Sequence, residues 1–372
     1  MSGVLLVDFL IGRSVGGHTA EYLGLLQDAL AGRPFEVLAP YLEETPPAGR
    51  VDRYHRFIRA MWSAFRRGDV VVFHTPEARD ILVLWTLTTL PVARRGCAVI
   101  MMRRGAEIMF GRDDWRARLI ERCVRGLVAR RVVHLVSDSH AAARTWSAIT
   151  GRDVPVIPLP VRPGLEAARA NHREGPLTVS LLGLFREEKG IDHYETVLRI
   201  AREIDPEVRL FCQVADTPLT TTERAVTEAL AGHYAADPRA TIHAGHLSAG
   251  DYDRALLASD VVVLPYDPAL YTSGTSGLLF DALTAGAVVL STRIAWGVEE
   301  FRDSASIVWL DGRGDDDLRR GLTEAFSRAR RRRRDGIPSD LPSAEAFATG
   351  WSRAISQAVE RTTEARQDPG AP

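Results

Sequence analysis

The stretch DVVVLPYDPALYTSGTSGLLFDALTAGAVVLST, residues 260–292, carries the clearest signal for the fold. It begins with an apolar, β-branched run that ends at Pro265 and closes with a second such run after Gly286. Between these runs, a polar loop leads into an apolar segment with the length and composition of a helix. Strands that are apolar throughout and alternate with helices are typical of buried parallel sheets. The stretch therefore predicts a strand–helix–strand unit of an α/β protein.

The same alternation runs through both halves of the 372-residue chain. The predicted strands of the first half cover residues 4–9, 35–39, 69–74, 97–102, 132–137 and 154–159. Those of the second half cover residues 177–183, 208–214, 240–245, 260–266, 287–292 and 306–310. A stretch rich in proline, glycine and charge separates the two series at residues 158–176 and has the character of a linker.

We therefore predict an α/β fold of two doubly wound, Rossmann-like domains that face a central cleft. Residues 1–165 form the first domain and residues 176–343 the second. Residues 344–372 form a helix that returns toward the first domain, followed by a frayed tail. The cleft is the expected ligand site, because sheets of this kind bind ligands beyond the carboxyl ends of their strands.

Composition and charge exclude several classes of function. The formal net charge of -1 gives no bulk attraction for nucleic acid, so no nucleic-acid partner is expected. The three cysteines have no spacing that suits a zinc site or a disulfide framework, which favours a reducing cytoplasm. No uncharged apolar run is long enough to span a bilayer, so a membrane contact would be peripheral. The arginine-rich run at 328–334 is interpreted as a solvated helix end.

The hexapeptide TSGTSG, residues 272–277, lies where the apolar helix begins. Serine and threonine side chains cap helix starts, and glycines leave the backbone N–H groups open toward the positive end of the helix dipole. Such an end can bind a diphosphate without a metal ion. The alternative is a plain helix cap, but a cap needs one such residue and not six in a row. We therefore favour anion binding here.

Two further stretches are candidates for phosphate contacts. Gly16 and Gly17 follow the first strand and open a helix, although a tight turn explains them equally well and no dinucleotide fingerprint is present. GLFREEKG, residues 183–190, places Arg186 and Lys189 three apart after the first strand of the second domain. Lys189 is the only lysine in a chain that is otherwise basic through arginine. The alternative is a surface ion pair with the neighbouring glutamates.

These stretches, taken in order, resemble one known family. GLFREEKGIDHYETVL (183–198), the segment 255–292 and GVEEF (297–301) resemble the C-terminal half of family-4 glycosyltransferases with the GT-B fold. The GG loop and two segments, DVVVFHTPE (69–77) and VVHLVSDSHAAARTWSAITG (132–151), are similar to the N-terminal half. The resemblance implies a retaining, metal-independent transfer from a nucleotide-diphosphate-sugar donor, with the second domain holding the donor and the first the acceptor.

The resemblance also implies roles for individual residues. Arg186 and Lys189 would neutralise the donor diphosphate, and the amides of Thr275, Ser276 and Gly277 would bind the same phosphates. Asp281 would accept the ribose hydroxyls. Where the family often has a glutamate, this chain has Ser273, within a PY…SG pattern that some members share. Glu300 matches the family's glutamate after the next strand.

Polar side chains at the ends of first-domain strands are the candidates for the acceptor side. His74 and Arg103 rank first, because each directly ends a predicted strand, and we predict that they share catalysis with Arg186 and Lys189. The other candidates are His18, Arg104 and Glu107. The alternative for each of them is an ordinary hydrogen-bonded structural role.

The segment VDRYHRFIRAMWSAFRRG, residues 51–68, has a helical stripe of apolar side chains flanked by arginines. Such a helix can lie on an anionic membrane surface, which would suit a lipid-linked acceptor. The alternative, which we rate slightly ahead, is that the stripe packs on the first-domain sheet.

The sequence thus predicts a cytoplasmic glycosyltransferase, with a peripheral membrane contact if the helix at 51–68 lies on the bilayer. Its donor is a nucleotide sugar, its acceptor a glycan, a lipid-linked sugar or a small molecule, and it needs no cofactor or metal. Two alternatives stay open at this point. One is a nucleotide-sugar 2-epimerase of the same fold, and the other is a non-catalytic relative that serves as a binding subunit.

Overall fold

The computed structural model describes residues 3–7, 19–30, 33–38, 49–74, 76–90, 96–103, 114–162, 164–165, 174–271, 275–335 and 344–367. The chain divides into two compact units. Unit 1 comprises Met1–Pro160 together with Ala344–Pro372, and unit 2 comprises Val161–Ser343.

Unit 1 is built on one parallel sheet of five strands in the order β2-β1-β3-β4-β5. Its strands are β1 Val4–Val7, β2 Phe35–Leu38, β3 Val70–Phe73, β4 Cys97–Met101 and β5 Val133–Val136. Its helices are α1 Thr19–Ala29, α2 Arg50–Arg67, α3 Ala78–Leu87, α4 Trp115–Ala129, α5 His140–Thr150 and, from the end of the chain, α12 Ala344–Gln367.

Apolar side chains cover both faces of this sheet, which is why its central strands are fully buried. One cluster packs Phe57, Met61 and Phe65 of α2 against the sheet, and the other packs Trp351 and Ile355 of α12. Strands buried on both faces need helices on both sides, so the doubly wound arrangement follows directly from the apolar runs.

One predicted strand was wrong. Residues 154–159 make only a single bridge, between Val156 and Ser137, and do not extend the sheet. The bridge rests on the Ser137 amide donating to the Pro155 carbonyl and the Ile157 amide donating to the Ser137 carbonyl. Pro155 and Pro158 have no N–H group, so the segment cannot continue a hydrogen-bonded ladder.

Unit 2 is built on a parallel sheet of six strands in the order β11-β10-β9-β6-β7-β8. Its strands are β6 Thr178–Leu181, β7 Arg209–Val214, β8 Ala240–Ala244, β9 Val261–Leu264, β10 Val288–Thr292 and β11 Ile307–Leu310. Its helices are α6 Tyr194–Ile204, α7 Thr221–Tyr234, α8 Ala249–Ala258, α9 Gly277–Thr284, α10 Ala295–Phe301 and α11 Asp315–Asp335. Two short 3-10 turns, Glu187–Lys189 and Ile191–His193, follow β6.

The strand order of unit 2 places a topological switch point between β6 and β9. These two strands are neighbours in the sheet, yet the chain continues outward from β6 to β7 and from β9 to β10. The loops that leave their carboxyl ends therefore diverge and open a crevice at this edge of the sheet. They are the loop that contains residues 186–190 and the loop that runs from Pro265 toward α9.

The helix predicted at 51–68 is α2, and its apolar stripe packs on the sheet of unit 1. Phe57, Met61 and Phe65 are fully buried, and even the Arg53 side chain lies in the interior. Of the two interpretations of this stripe, the structure supports core packing. Among the residues that the structure describes, none of the helices combines the length and the apolar character needed to cross a bilayer.

Candidate functional site

The candidate site of unit 2 begins where the loop after β6 touches the end of β9. Gly190 has a φ of 72°, and a Cβ atom there would overlap the carbonyl oxygen of Pro265. Only glycine combines this left-handed backbone with so close an approach. The Asp267 amide donates to the Glu188 carbonyl at 3.2 Å and joins the two loops. The sequence Lys-Gly therefore sets Lys189 directly against the loop that follows β9.

Lys189 lies over two tyrosine rings of that loop. Its Nζ is 4.0 Å from the ring centroid of Tyr266 and 4.3 Å from that of Tyr271. Both distances are well within the range in which the negative face of an aromatic ring attracts a cation. The two ring centroids are 4.6 Å apart, and the ring planes are inclined at 38°.

The same two tyrosines reach the start of α9. The Tyr266 hydroxyl is 3.0 Å from Ser276 Oγ, and the Tyr271 hydroxyl donates to the Thr275 carbonyl at 2.9 Å. Ser276 is the N-cap of α9, because its Oγ accepts from the Leu279 amide at 3.2 Å. Burial raises the pKa of Tyr266 far above its usual value, so its phenol stays neutral. The structure thus brings the ammonium of Lys189 and the positive end of α9 together through two tyrosines.

Asp281 lies on the buried side of α9. Its carboxylate accepts a hydrogen bond from the Tyr252 hydroxyl at 3.2 Å. Burial and then the Asp281 charge raise the pKa of Tyr252 well above its usual value, so the phenol remains a donor. Arg162 lies 5.6 Å from the centre of the Tyr252 ring and pairs with Asp253 at 2.8 Å. A ribose contact of Asp281 stays a prediction.

Arg186 stands apart from this arrangement. Its side chain is 58% exposed, and its Nη1 lies 3.7 Å from Glu188 Oε1. This is the surface ion pair that the sequence offered as the alternative for this residue. A phosphate contact of Arg186 stays a prediction. Glu300 lies in α10 with its side chain half-buried.

A second cluster lies at the carboxyl edge of the unit 1 sheet. His74, Arg103 and Asp138 follow the neighbouring strands β3, β4 and β5. Arg103 donates to Nε2 of the buried His74, and its Nε lies 3.8 Å from Oδ2 of the buried Asp138. Because a guanidinium only donates, the Nε2 atom of His74 is an acceptor and its ring is neutral in this contact. Ser137 Oγ donates to the Met102 carbonyl at 2.8 Å and joins the last two of these loops.

Several predicted site residues fall outside the described residues: Gly16, Gly17, His18, Arg104, Glu107 and Ser273. The described part of the chain holds no cluster of three His, Cys, Asp or Glu side chains that could bind a metal ion. Independence from metal stays a prediction.

Sequence reasoning missed four residues of these sites: Tyr252, Tyr266, Tyr271 and Asp138. The rule that singled out His74 and Arg103, a polar residue directly after a strand, also applies to Asp138 in VSDSH and to Tyr266 in LPYDP. No local signal marks Tyr252, because it comes from α8 and meets Asp281 only through the packing of two helices.

Comparison with known proteins gives matches of structure and not of sequence. No family model matches the chain, and no curated protein matches its sequence. HepE of Anabaena, solved with UDP and glucose, is 14% identical with a TM-score of 0.59, over 99% of this chain and 98% of its own. Sucrose-phosphate synthase from Thermosynechococcus elongatus gives the same four values. A UDP-forming α,α-trehalose-phosphate synthase from Burkholderia xenovorans is 11% identical with a TM-score of 0.60, over 100% of both chains.

Each of these solved structures aligns with nearly the whole chain, so the similarity covers both units. At such low identities it establishes the fold and leaves the chemistry to the residues described above. The chain has the fold of GT-B proteins, with two Rossmann-like α/β domains.

Proposed function

We propose that this protein is a glycosyltransferase that takes a sugar from a nucleotide-diphosphate-sugar donor. The observation that carries the proposal is the meeting of Lys189 and the N-terminus of α9 at the switch point of the unit 2 sheet. An ammonium and a helix start form a site for a diphosphate. Structures of the same fold support this assignment, since HepE has been solved with UDP-glucose.

The proposed site suits the charge that develops in glycosyl transfer. As the bond between the sugar and the diphosphate breaks, the anomeric carbon becomes positive and the leaving phosphate gains negative charge. Lys189 and the amides at the start of α9 stabilise that phosphate more in the transition state than in the ground state. These groups supply the positive charge that a metal ion would otherwise provide, so we propose a metal-independent reaction. Retention of configuration is proposed only on the resemblance to family-4 glycosyltransferases.

We assign the cluster of His74, Arg103 and Asp138 to the acceptor or to the transferred sugar. Three neighbouring strands place these side chains at the ligand-binding edge of the unit 1 sheet. Arg103 keeps a partly exposed guanidinium beside two buried partners, which orient it. It can therefore bind hydroxyl or anionic groups of a ligand, with His74 holding it through Nε2. A catalytic role of His74 stays a prediction.

A ligand screen tests the donor assignment. Nucleotide sugars with different bases and sugars are each added to the wild type and to Lys189→Ala, and the donor among them should raise the melting temperature of the wild type more than that of the variant. A ligand at 100 times its dissociation constant stabilises the folded state by about 2.7 kcal/mol, which such a screen detects. If none of the nucleotide sugars stabilises the wild type, the donor assignment is wrong.

Turnover separates the proposal from its two alternatives. A transferase releases free nucleoside diphosphate when an acceptor is present, and a chelator leaves that release unchanged if no metal takes part. A nucleotide-sugar epimerase would instead interconvert donor sugars without an acceptor. A binding subunit would do neither, so acceptor-dependent release is the deciding measurement.

A peripheral membrane contact through α2 remains part of the proposal, although fewer residues of the helix are exposed for it than the sequence suggested. With the apolar stripe in the core, the helix keeps the exposed Val51 and Ile58 together with exposed arginines, among them Arg59 and Arg66. We expect the protein to sediment with vesicles that contain anionic lipid, and Arg59→Glu/Arg66→Glu to weaken that binding. Equal binding to neutral vesicles, or none to anionic ones, would contradict this contact.

A further inference from the structure

We infer that Tyr266 and Tyr271 are positioning residues that hold the Lys189 ammonium at the phosphate site and make lysine, and not arginine, the residue required there. The inference rests on the proposed donor site and explains why one lysine occurs in a chain whose other 46 basic residues are arginine. Three features of the tyrosine pair, Tyr266 and Tyr271, carry it.

The first feature is how the pair holds the ammonium. Nζ lies at nearly the same distance from both ring centroids, 4.0 Å and 4.3 Å, so neither ring alone defines its position. A neutral aromatic face attracts the cation without cancelling its charge. The two ring contacts themselves add no negative charge that would repel a diphosphate.

The second feature is the shape of the space. Because the two ring planes are inclined at 38°, a compact ammonium with three donors contacts both faces at once. A guanidinium is flat and stacks parallel to a ring, so it can lie flat on one of these rings but not on both. The pair therefore fits lysine better than arginine.

The third feature is the attachment of the rings to α9. The Tyr271 hydroxyl donates to the Thr275 carbonyl, and the Tyr266 hydroxyl hydrogen-bonds with Ser276 Oγ. Ser276 caps the helix, so the rings, the cap and the ammonium form one connected unit. The pair thereby sets the position of the ammonium relative to the helix N-terminus, where the phosphates would bind.

The single lysine allows a direct test of this geometry without any ligand. Protein grown with 13C-labelled lysine gives one CεH2 signal, and stacking against aromatic rings should shift it upfield of its position in the unfolded chain. Tyr271→Phe should keep most of this shift because it keeps the ring, whereas Tyr271→Leu should lose much of it. A wild-type signal at the unfolded position, or equal shifts in the wild type and in Tyr271→Leu, would overturn the inference.

A second measurement tests the consequence for binding. The probe is UDP, with its affinity measured by calorimetry for wild type, Tyr271→Phe, Tyr271→Leu and Lys189→Arg. We expect Tyr271→Leu to weaken UDP binding by about 2- to 30-fold, the range that a cation–π contact spans, and Tyr271→Phe to restore most of it. Lys189→Arg should bind more weakly than the wild type, although it keeps the charge.

A comparison in the Lys189→Ala background separates positioning from general damage. There Tyr271→Leu should have little further effect, because the ammonium that it positions is gone. The same loss in both backgrounds, or wild-type affinity of Lys189→Arg, would overturn the inference and leave the donor site in place. If wild type binds none of UDP, GDP and ADP, the proposed function fails, and the donor role of the tyrosine pair fails with it.

Discussion

At the scale of single residues, Lys189 shows how its surroundings decide what a charge does. The segment REEKG alone is compatible with a charged surface turn. In the structure, the two basic side chains of this segment have different surroundings. Arg186 is exposed beside Glu188, whereas Lys189 lies over two tyrosines next to a helix N-terminus. The two residues should therefore differ in function, although both are basic and three positions apart.

We expect Lys189→Ala to lower kcat/KM for the donor by about 10- to 150-fold, since a hydrogen bond to a charged group contributes about 1.5–3 kcal/mol. Arg186→Ala should lower it less, because its guanidinium is exposed and already shared with Glu188. Steady-state kinetics with a saturating acceptor measures both. Arg239→Ala, which removes an exposed arginine beside Glu207, is the matched control. Near-normal kinetics of Lys189→Ala would remove it from the donor site.

Gly190 is the residue at which backbone conformation and packing act together. Gly190→Ala would place a Cβ in a left-handed backbone and against the Pro265 carbonyl. The strained backbone alone costs about 1–3 kcal/mol, and the overlap adds to it. Gly232 lies in α7 with open space around it, so Gly232→Ala should instead stabilise the protein by about 0.5–1 kcal/mol. Urea unfolding of both variants checks this, and equal effects would contradict the close approach at Gly190.

At the scale of elements, the arginine-rich end of α11 is more than the solvated surface that its sequence suggested. Arg333 makes two hydrogen bonds with the buried Asp260 carboxylate, at 2.8 Å and 2.6 Å, and donates to the Gly175 carbonyl. Asp260 also accepts from the Thr178 amide at 2.8 Å. These hydrogen bonds therefore connect the end of α11 with the start of β6 and with the residue before β9.

Arg333→Ala should destabilise unit 2 by about 3–5 kcal/mol, because it leaves a buried carboxylate without its cation. Arg334, the next residue along the helix, is exposed and serves as the control. Chemical denaturation should show Arg334→Ala within about 0.5 kcal/mol of wild type. Similar losses for the two variants would mean that the whole run acts through its charge alone.

At the scale of the whole molecule, two buried groups of unit 1 give its stability opposite pH dependences. Burial raises the pKa of Asp80 to about 6, above its ordinary 3.8, although a hydrogen bond from the Glu77 amide opposes the shift. Burial, and next the charge of Arg361, lowers the pKa of His134 to about 4 from 6.5. The contribution of Asp80 to the free energy of unfolding is full below pH 3.8, and it is lost as the pH rises through 6. The His134 contribution is full above pH 6.5 and is lost as pH falls through 4.

Each contribution is on the order of 3 kcal/mol, so the two largely offset each other in the wild type. Asp80→Asn should gain stability relative to wild type as pH rises from 4 to 7. His134→Gln should gain relative to wild type as pH falls over the same range. Urea unfolding at several pH values gives these differences, and Gln357→Ala on the exposed side of α12 is the control. A difference that stays constant with pH would contradict the assignment for that group.

The two parallel sheets could be predicted from local sequence, because runs of apolar, β-branched residues indicate buried strands within a few neighbouring positions. Eleven of the twelve predicted runs form strands, and the one that does not contains prolines that block the ladder. The same local patterns located the helix start at 275–277 and the loop with Lys189, since glycines and caps act on their immediate neighbours.

The contacts between distant side chains, by contrast, depend on the folded chain as a whole. Tyr271 is 82 positions beyond Lys189 (271 − 189), and His74, Arg103 and Asp138 come from three separate loops. Their contacts depend on strand order, which places β6 beside β9 and β3, β4 and β5 side by side. Strand order is set by the packing of all helices on both faces of each sheet at once. A local stretch of sequence does not indicate how distant helices and strands pack together. The tyrosine pair and Asp138 could therefore be assigned to these sites only from the folded structure.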